Sequence, residues 1–264
     1  MLRPPHVGDS NISYEQHWKL LTEILRTRGM IALPNTYLVL DIETTAVTPA
    51  SGSIIQLGWV QVIDGVIKSR GGLFISAPEA ELQAYENSSY VKQKISEGNT
   101  GYVKAADVRE HGIPRVQAFS LLHELYSKTM ANFAGSIVIG HNLTGFDIPF
   151  IEYHSQKEGR AIKFDRTRVF DTGVAFKANK LGLLPRDDEP IWEFFCRVRE
   201  IRAAGVYWRL EIAVKELGLE SVINNFLLNC NSETPDEIMY HDASTDTLAT
   251  HFIYQELRAK KLVG

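Results

Sequence analysis

The chain holds two cysteines in 264 residues and no apolar run near the ~20 residues that span a bilayer. It also lacks an excess of positive charge, an internal repeat and a low-complexity tract. Cys196 and Cys230 supply neither a disulfide framework nor a zinc-ligand spacing, and read as buried or incidental thiols of a reducing compartment. Without a spanning run, and without the apolar core of a signal peptide in its first ten residues, the chain is expected to be soluble and intracellular, with no membrane partner. Lys and Arg number 28 against 32 Asp and Glu, a formal net charge of −4. That balance argues against coating nucleic acid by bulk charge but leaves room for a local basic track.

What is present is an ordinary globular composition, 44% hydrophobic and 23% charged, in a length that suits one main α/β domain with elaborations. Ser13 and Gln16 have capping-box spacing, and Trp18, Leu21, Ile24 and Leu25 form an apolar stripe that ends near Gly29. Residues 1–36 therefore read as a helical extension in front of the main domain, residues 37–264. From Tyr37 to Ile42 apolar residues fill both alternating faces, as in a central strand buried on both sides. Ile54 to Val60 and Val66 to Ile75 read as two more strands joined at Asp64-Gly65, a strong hairpin signal. Residues 76–113 are polar and weakly patterned, suggesting a loop with short helices. A helix from Pro114, a strand from Ser136 to Ile139, a helix from Phe146 to Glu158, a strand from Arg168 to Asp171 and helices around Phe194 and Phe252 follow. Hairpin strands first and alternating helices and strands afterwards imply a mixed sheet covered by helices.

Asp41 and Glu43 fall on one face at the end of the first strand, where two carboxylates repel each other unless a cation lies between them; a divalent metal is the simplest candidate. Asp147 and Asp246 stand at the starts of two helices. Either acid could serve as a cap or complement the helix dipole, yet both align with buried apolar positions and so point inward. His241 lies five residues before Asp246.

In this order, Asp41-Ile42-Glu43-Thr44-Thr45, then His141-Asn142 with Phe146-Asp147, then His241 with Asp246, resemble the three motifs of the DEDD superfamily of 3′–5′ exonucleases. The His241-to-Asp246 spacing resembles its histidine-bearing (DEDDh) branch; Asp242 stands where the tyrosine branch has Tyr. Ile54 to Gly58, His111-Gly112-Ile113 and Phe170-Asp171-Thr172 resemble further family segments. The likeness covers roughly residues 37–256, leaving 1–36 and much of 181–208 aside. The chain departs from the pattern at Ala46, where the family commonly has Gly, and by one extra residue between Asn142 and Phe146.

The resemblance implies a ribonuclease H-like mixed five-stranded sheet, three antiparallel strands and then parallel ones, flanked by helices, with insertions near 76–113 and 181–208. It implies two Mg²⁺ or Mn²⁺ ions held by Asp41, Glu43, Asp147 and Asp246, with His241 as general base and Thr44, Thr45, Ala46, Asn142 and Phe146 near the substrate. Its substrate would be a single-stranded DNA or RNA 3′ end, cut to nucleoside 5′-monophosphates, and a polymerase or other replication or repair protein could be a partner. The competing function is a non-catalytic nucleic-acid-binding adaptor on the same fold. Between Lys157 and Arg209 twelve Lys and Arg face eight Asp and Glu, and Arg160, Lys163, Arg166, Arg168, Lys177 and Lys180 are candidate phosphate contacts if they are not simply solvated charge.

Overall fold

In the computed structural model residues 34–97, 102–133, 135–230 and 240–259 are described, so the helix expected over Ser13 to Gly29 lies outside them. Five strands form: β1 (Tyr37–Thr44), β2 (Ile54–Ile63), β3 (Val66–Phe74), β4 (Ile137–Gly140) and β5 (Val169–Asp171). Their order in the sheet is β3-β2-β1-β4-β5. The first three pair antiparallel, and β1, β4 and β5 run parallel, as expected for hairpin strands followed by helical crossovers. The hairpin turn forms at Asp64 and Gly65, both with positive φ, which matches the turn type that a two-residue connection favours.

The helices among the described residues are α1 (Glu79–Glu86), α2 (Ser89–Ser96), α3 (Ala105–His111), α4 (Arg115–Asn132), α5 (Asp147–Lys157), α6 (Thr172–Lys180), α7 (Ile191–Glu200), α8 (Leu210–Glu216), α9 (Glu220–Cys230) and α10 (Ala243–Ala259). None is long and apolar enough to cross a membrane. The two-sided burial read from β1 is present. Leu38, Leu40 and Ile42 pack with Phe119 and Leu122 of α4 and with Phe150 and Ile151 of α5. Tyr37 and Val39 face the other way, onto Phe176, Phe194, Phe195, Ala249 and Ile253 of α6, α7 and α10. Phe194, Phe195 and Val198 are thus core residues of α7. The 76–113 segment is α1 to α3, with its own small core of Leu82, Tyr85, Val91, Val103 and Val108 against Ile55.

Register explains how α10 reaches the sheet. Asp41 pairs with Gly58 and Glu43 with Gln56, while Gly58 in turn pairs with Gly72. Directly opposed residues point to the same face, so the two glycines make a flat shelf beside the two acids. A Cβ added to Gly58 would come within 2.0 Å of the Ala243 carbonyl oxygen, and one on Gly72 within 2.9 Å of Ser244 Cβ. The first turn of α10 therefore rests directly on backbone. Gln56 fixes it there: its Oε1 accepts from the Ala243 N–H at 2.9 Å and its Nε2 donates to Asp242 Oδ2 at 2.7 Å.

Candidate active site

Asp41 and Glu43 arrive from β1, and Asp147 from the first turn of α5. The cap reading for Asp147 does not hold, because its Oδ1 accepts from the backbone N–H of Ile42, between the two strand acids, at 3.0 Å. Asp246 comes from the first turn of α10, and its Oδ2 accepts from the backbone N–H of His241 at 3.2 Å. Asp242 takes the capping role instead: its Oδ1 accepts from the Thr245 N–H at 3.0 Å and from the Ser244 hydroxyl. Glu43, His241 and Asp246 each present a ligand atom, all within 4.8 Å of one another.

The electrostatics are those of a crowded anionic cage. Burial, followed by the neighbouring carboxylates Asp147, Asp246 and Glu43, pushes Asp41 well above the usual carboxylate range. Burial and then Asp246 and Asp147 do the same to Glu43. Burial raises Asp246 as well, against the His241 N–H. Asp147 is pushed up to about 8, mainly by burial and against the hydrogen bond from Ile42. Among the described residues no Lys or Arg forms an ion pair with any of the four. Asp246 Oδ1 is buried and makes no hydrogen bond. A set of carboxylate oxygens without an organic cation, one of them orphaned, fits hard divalent ions such as Mg²⁺ or Mn²⁺.

His241 adopts positive φ in the turn before α10. Burial lowers its pKa, and Lys94 lowers it further, so the imidazole is neutral at physiological pH. The ring of Tyr90 stands edge-on to it, with centroids 6.4 Å apart. Tyr90 belongs to α2, in the stretch whose sequence says least, and only the fold brings it here.

The remaining expected residues lie around this cage. Thr44 Oγ1 donates to the Ala46 carbonyl at 2.7 Å, and Thr45 Oγ1 accepts from the Ser53 N–H at 2.9 Å, which shapes the turn after β1. A Cβ added to Gly52 would come within 2.6 Å of the Ala46 Cβ and 2.7 Å of its backbone nitrogen, so the absent side chain at Gly52 leaves the room that Ala46 occupies. Asn142 has a φ of 67° and opens the loop to Asp147. That loop is held from the end of β5. Buried Asp171 accepts from the N–H groups of Asn142, Thr144 and Val174 and from the Thr144 hydroxyl. Phe146 is turned onto Phe150, with centroids 4.9 Å apart.

His141 is structural, pairing with Thr172 and donating from Nε2 to the Trp208 carbonyl at 2.8 Å. His154 is buried and stacks on Phe150. Several candidate phosphate contacts are otherwise engaged. Arg168 donates to the carbonyls of Ser136, Met130 and Phe133, Arg166 grips Glu152, and Lys180 pairs with Glu216.

The five-strand order and its helical cover form a ribonuclease H-like fold. Solved structures with this fold include exonuclease I with bound product (TM-score 0.54, 15% identity, 85% of this chain and 43% of that one). E. coli exonuclease I in complex with a dA16 oligonucleotide has a TM-score of 0.52 at 13% identity, over 87% of this chain and 42% of that one. The same enzyme with a 5cy-dT13 oligonucleotide gives 0.51 at 14%, over 87% and 41%. The chain thus spans about two fifths of the length of these structures. No family model and no curated protein sequence matches it.

Proposed function

We propose that the chain is a metal-dependent 3′–5′ exonuclease of the DEDDh type, acting on single-stranded nucleic-acid ends. The observation that carries the reading is the convergence of four carboxylates, none of them ion-paired with Lys or Arg among the described residues, beside a histidine whose pKa burial lowers. Residues 37–264 would form the exonuclease domain, with residues 1–36 as an added extension. Two of the exonuclease I structures that share the fold hold a 5cy-dT13 and a dA16 oligonucleotide, which supports the substrate class proposed here.

In this reading Asp41, Glu43, Asp147 and Asp246 hold two Mg²⁺ or Mn²⁺ ions. When bound, such a pair supplies Lewis-acid polarisation of the attacking water and offsets charge on the scissile phosphate. His241 accepts the proton that the water loses as its oxygen bonds to phosphorus. The P–O3′ bond breaks, the O3′ oxygen of the shortened strand takes up a proton from solvent to become its new 3′-hydroxyl, and a nucleoside 5′-monophosphate leaves. Asp147 keeps the Ile42 amide, and with it the end of β1, in position. Gln56 and the glycine shelf set the height of His241 and Asp246 above the strand. Asn142 and Phe146, with Thr44, Thr45 and Ala46, border the terminal nucleotide.

The test is Mg²⁺-dependent degradation of a 3′-labelled single-stranded oligonucleotide. Wild type should release mononucleotides, and Asp41→Ala should release none while keeping its fold. Full activity in the variant would sink the proposal.

A further inference from the structure

A cationic cleft lies beside the Asn142–Phe146 loop, largely in the part of the chain that the family resemblance leaves aside. It has a volume of about 500 Å³ and is lined by Lys177, Arg199, Arg202, Val206 and Trp208, among others, with no carboxylate in its wall. Lys177 is only 4% exposed. Its Nζ donates to the Arg199 carbonyl at 2.7 Å and sits 5.1 Å from the centroid of the Trp208 ring. No carboxylate pairs with it among the described residues, and burial lowers its pKa. A buried ammonium satisfied by one carbonyl and a π face is costly to keep charged, and an anion in the cleft would offset that cost. Arg202 is exposed at the mouth, with no ion-pair partner among the described residues. Arg199 does have a partner, the exposed Glu200, whose carboxylate also partly offsets the effect of burial on Lys177.

The cleft is tied to the acid cage. Arg199 Nη1 donates to the Thr144 carbonyl at 2.9 Å, and the Trp208 carbonyl accepts from His141. Both bonds anchor the loop that ends at Asp147. Two or three cations in a volume fit for a nucleotide unit match a phosphodiester of the strand.

We propose that this cleft is a phosphate subsite for an internal nucleotide of the strand whose 3′ end lies in the acid cage. The proposal rests on the exonuclease reading and extends it. A dinucleotide has a single phosphodiester, which the cage takes, so it cannot use the cleft; a longer strand can.

The experiment uses Arg202→Ala and Arg202→Glu, whose exposed position leaves the fold unthreatened, and Lys177→Met as an internal check with thermal melting to confirm folding. Anisotropy of a fluorescent sixteen-nucleotide strand in EDTA reads binding without cleavage, and steady-state kinetics with Mg²⁺ compare that strand with a dinucleotide. Arg202→Glu should weaken binding of the long strand roughly tenfold and flatten the dependence of log K on log salt by about 0.7, the single-strand value for one phosphate contact. KM should rise for the long strand and stay unchanged for the dinucleotide. Wild-type cleavage with no effect of Arg202→Glu on binding or on length dependence overturns the subsite alone. Equal effects on both substrates overturn it too. Displacement of the long strand by nucleoside 5′-monophosphate that depends on Arg202 makes the cleft a product site and overturns the strand assignment. A wild-type protein that neither binds nor cleaves either substrate overturns the subsite and the exonuclease reading together.

Discussion

Asp147 and Ile42 are joined by a hydrogen bond from the strand amide to the helix carboxylate, at 3.0 Å. The amide between Asp41 and Glu43 thereby depends on the third acid. An Asn side chain can accept the same bond without the charge, so Asp147→Asn should keep or raise the stability of the metal-free protein. Asp147→Ala orphans a buried N–H, at a cost of about 1–3 kcal/mol. Both variants should lose nuclease activity, and denaturant melts beside the oligonucleotide assay separate the two effects. Equal destabilisation by Asn and Ala would contradict the role given to the bond.

Gly58→Ala tests the shelf. The new methyl meets the Ala243 backbone rather than a side chain that could swing aside. A loss of about 1–3 kcal/mol is expected, as for overpacking in a rigid site. Activity should fall by more than the unfolded fraction explains, because His241 and Asp246 move with α10. A temperature series run well below the melting point isolates that second loss.

His241→Gln should cut turnover by at least about a hundredfold, the contribution expected of a general base. Protection by Mn²⁺ against thermal unfolding should survive, since four carboxylates remain. The same protection should vanish in Asp41→Asn. Differential scanning calorimetry with and without Mn²⁺ reads both, and unimpaired turnover in His241→Gln would remove the residue from the mechanism.

Acid stability should depend on His251, far from the cage. It is buried, pairs with the Tyr37 hydroxyl at 3.1 Å, and has its pKa pushed down to about 4, first by burial and then by Arg258. Gln255 also faces that hydroxyl, donating to it. The unfolded chain takes up the His251 proton near pH 6.5 and the folded chain only near 4. The stability contributed by the neutral ring is therefore complete above pH 6.5 and is lost as pH falls from there to 4, by about 3 kcal/mol in all. His251→Gln should show a shallower acid limb in melting temperature against pH.

The parts of this arrangement that sequence could announce are those with a local period or motif. β1 declares itself by apolar residues on both faces and by Asp41 and Glu43 at spacing two. Asp64-Gly65 marks the hairpin, and the inward lean of Asp147 and Asp246 follows from their distance to Phe150 and Ala249. What holds the site together has no such period. Asp171 gathers a loop nearly thirty residues away, and Gln56 grips the start of α10 across a separation of 187 residues. The core of α1 to α3 is spread thinly over a polar stretch, which hid Tyr90. Arg168 resembled a phosphate contact by charge alone, and its three carbonyl partners become visible only once the strands are in place.

Because α10 meets the sheet at Gly58 and Gly72, the cage is closed by the last element of the chain that is described. A nascent polypeptide that has emerged only through α9 already carries Asp41, Glu43 and Asp147 but has neither Asp246 nor His241. Its shelf would be bare and its cage incomplete, so the proposed chemistry would wait until α10 docks on the two glycines.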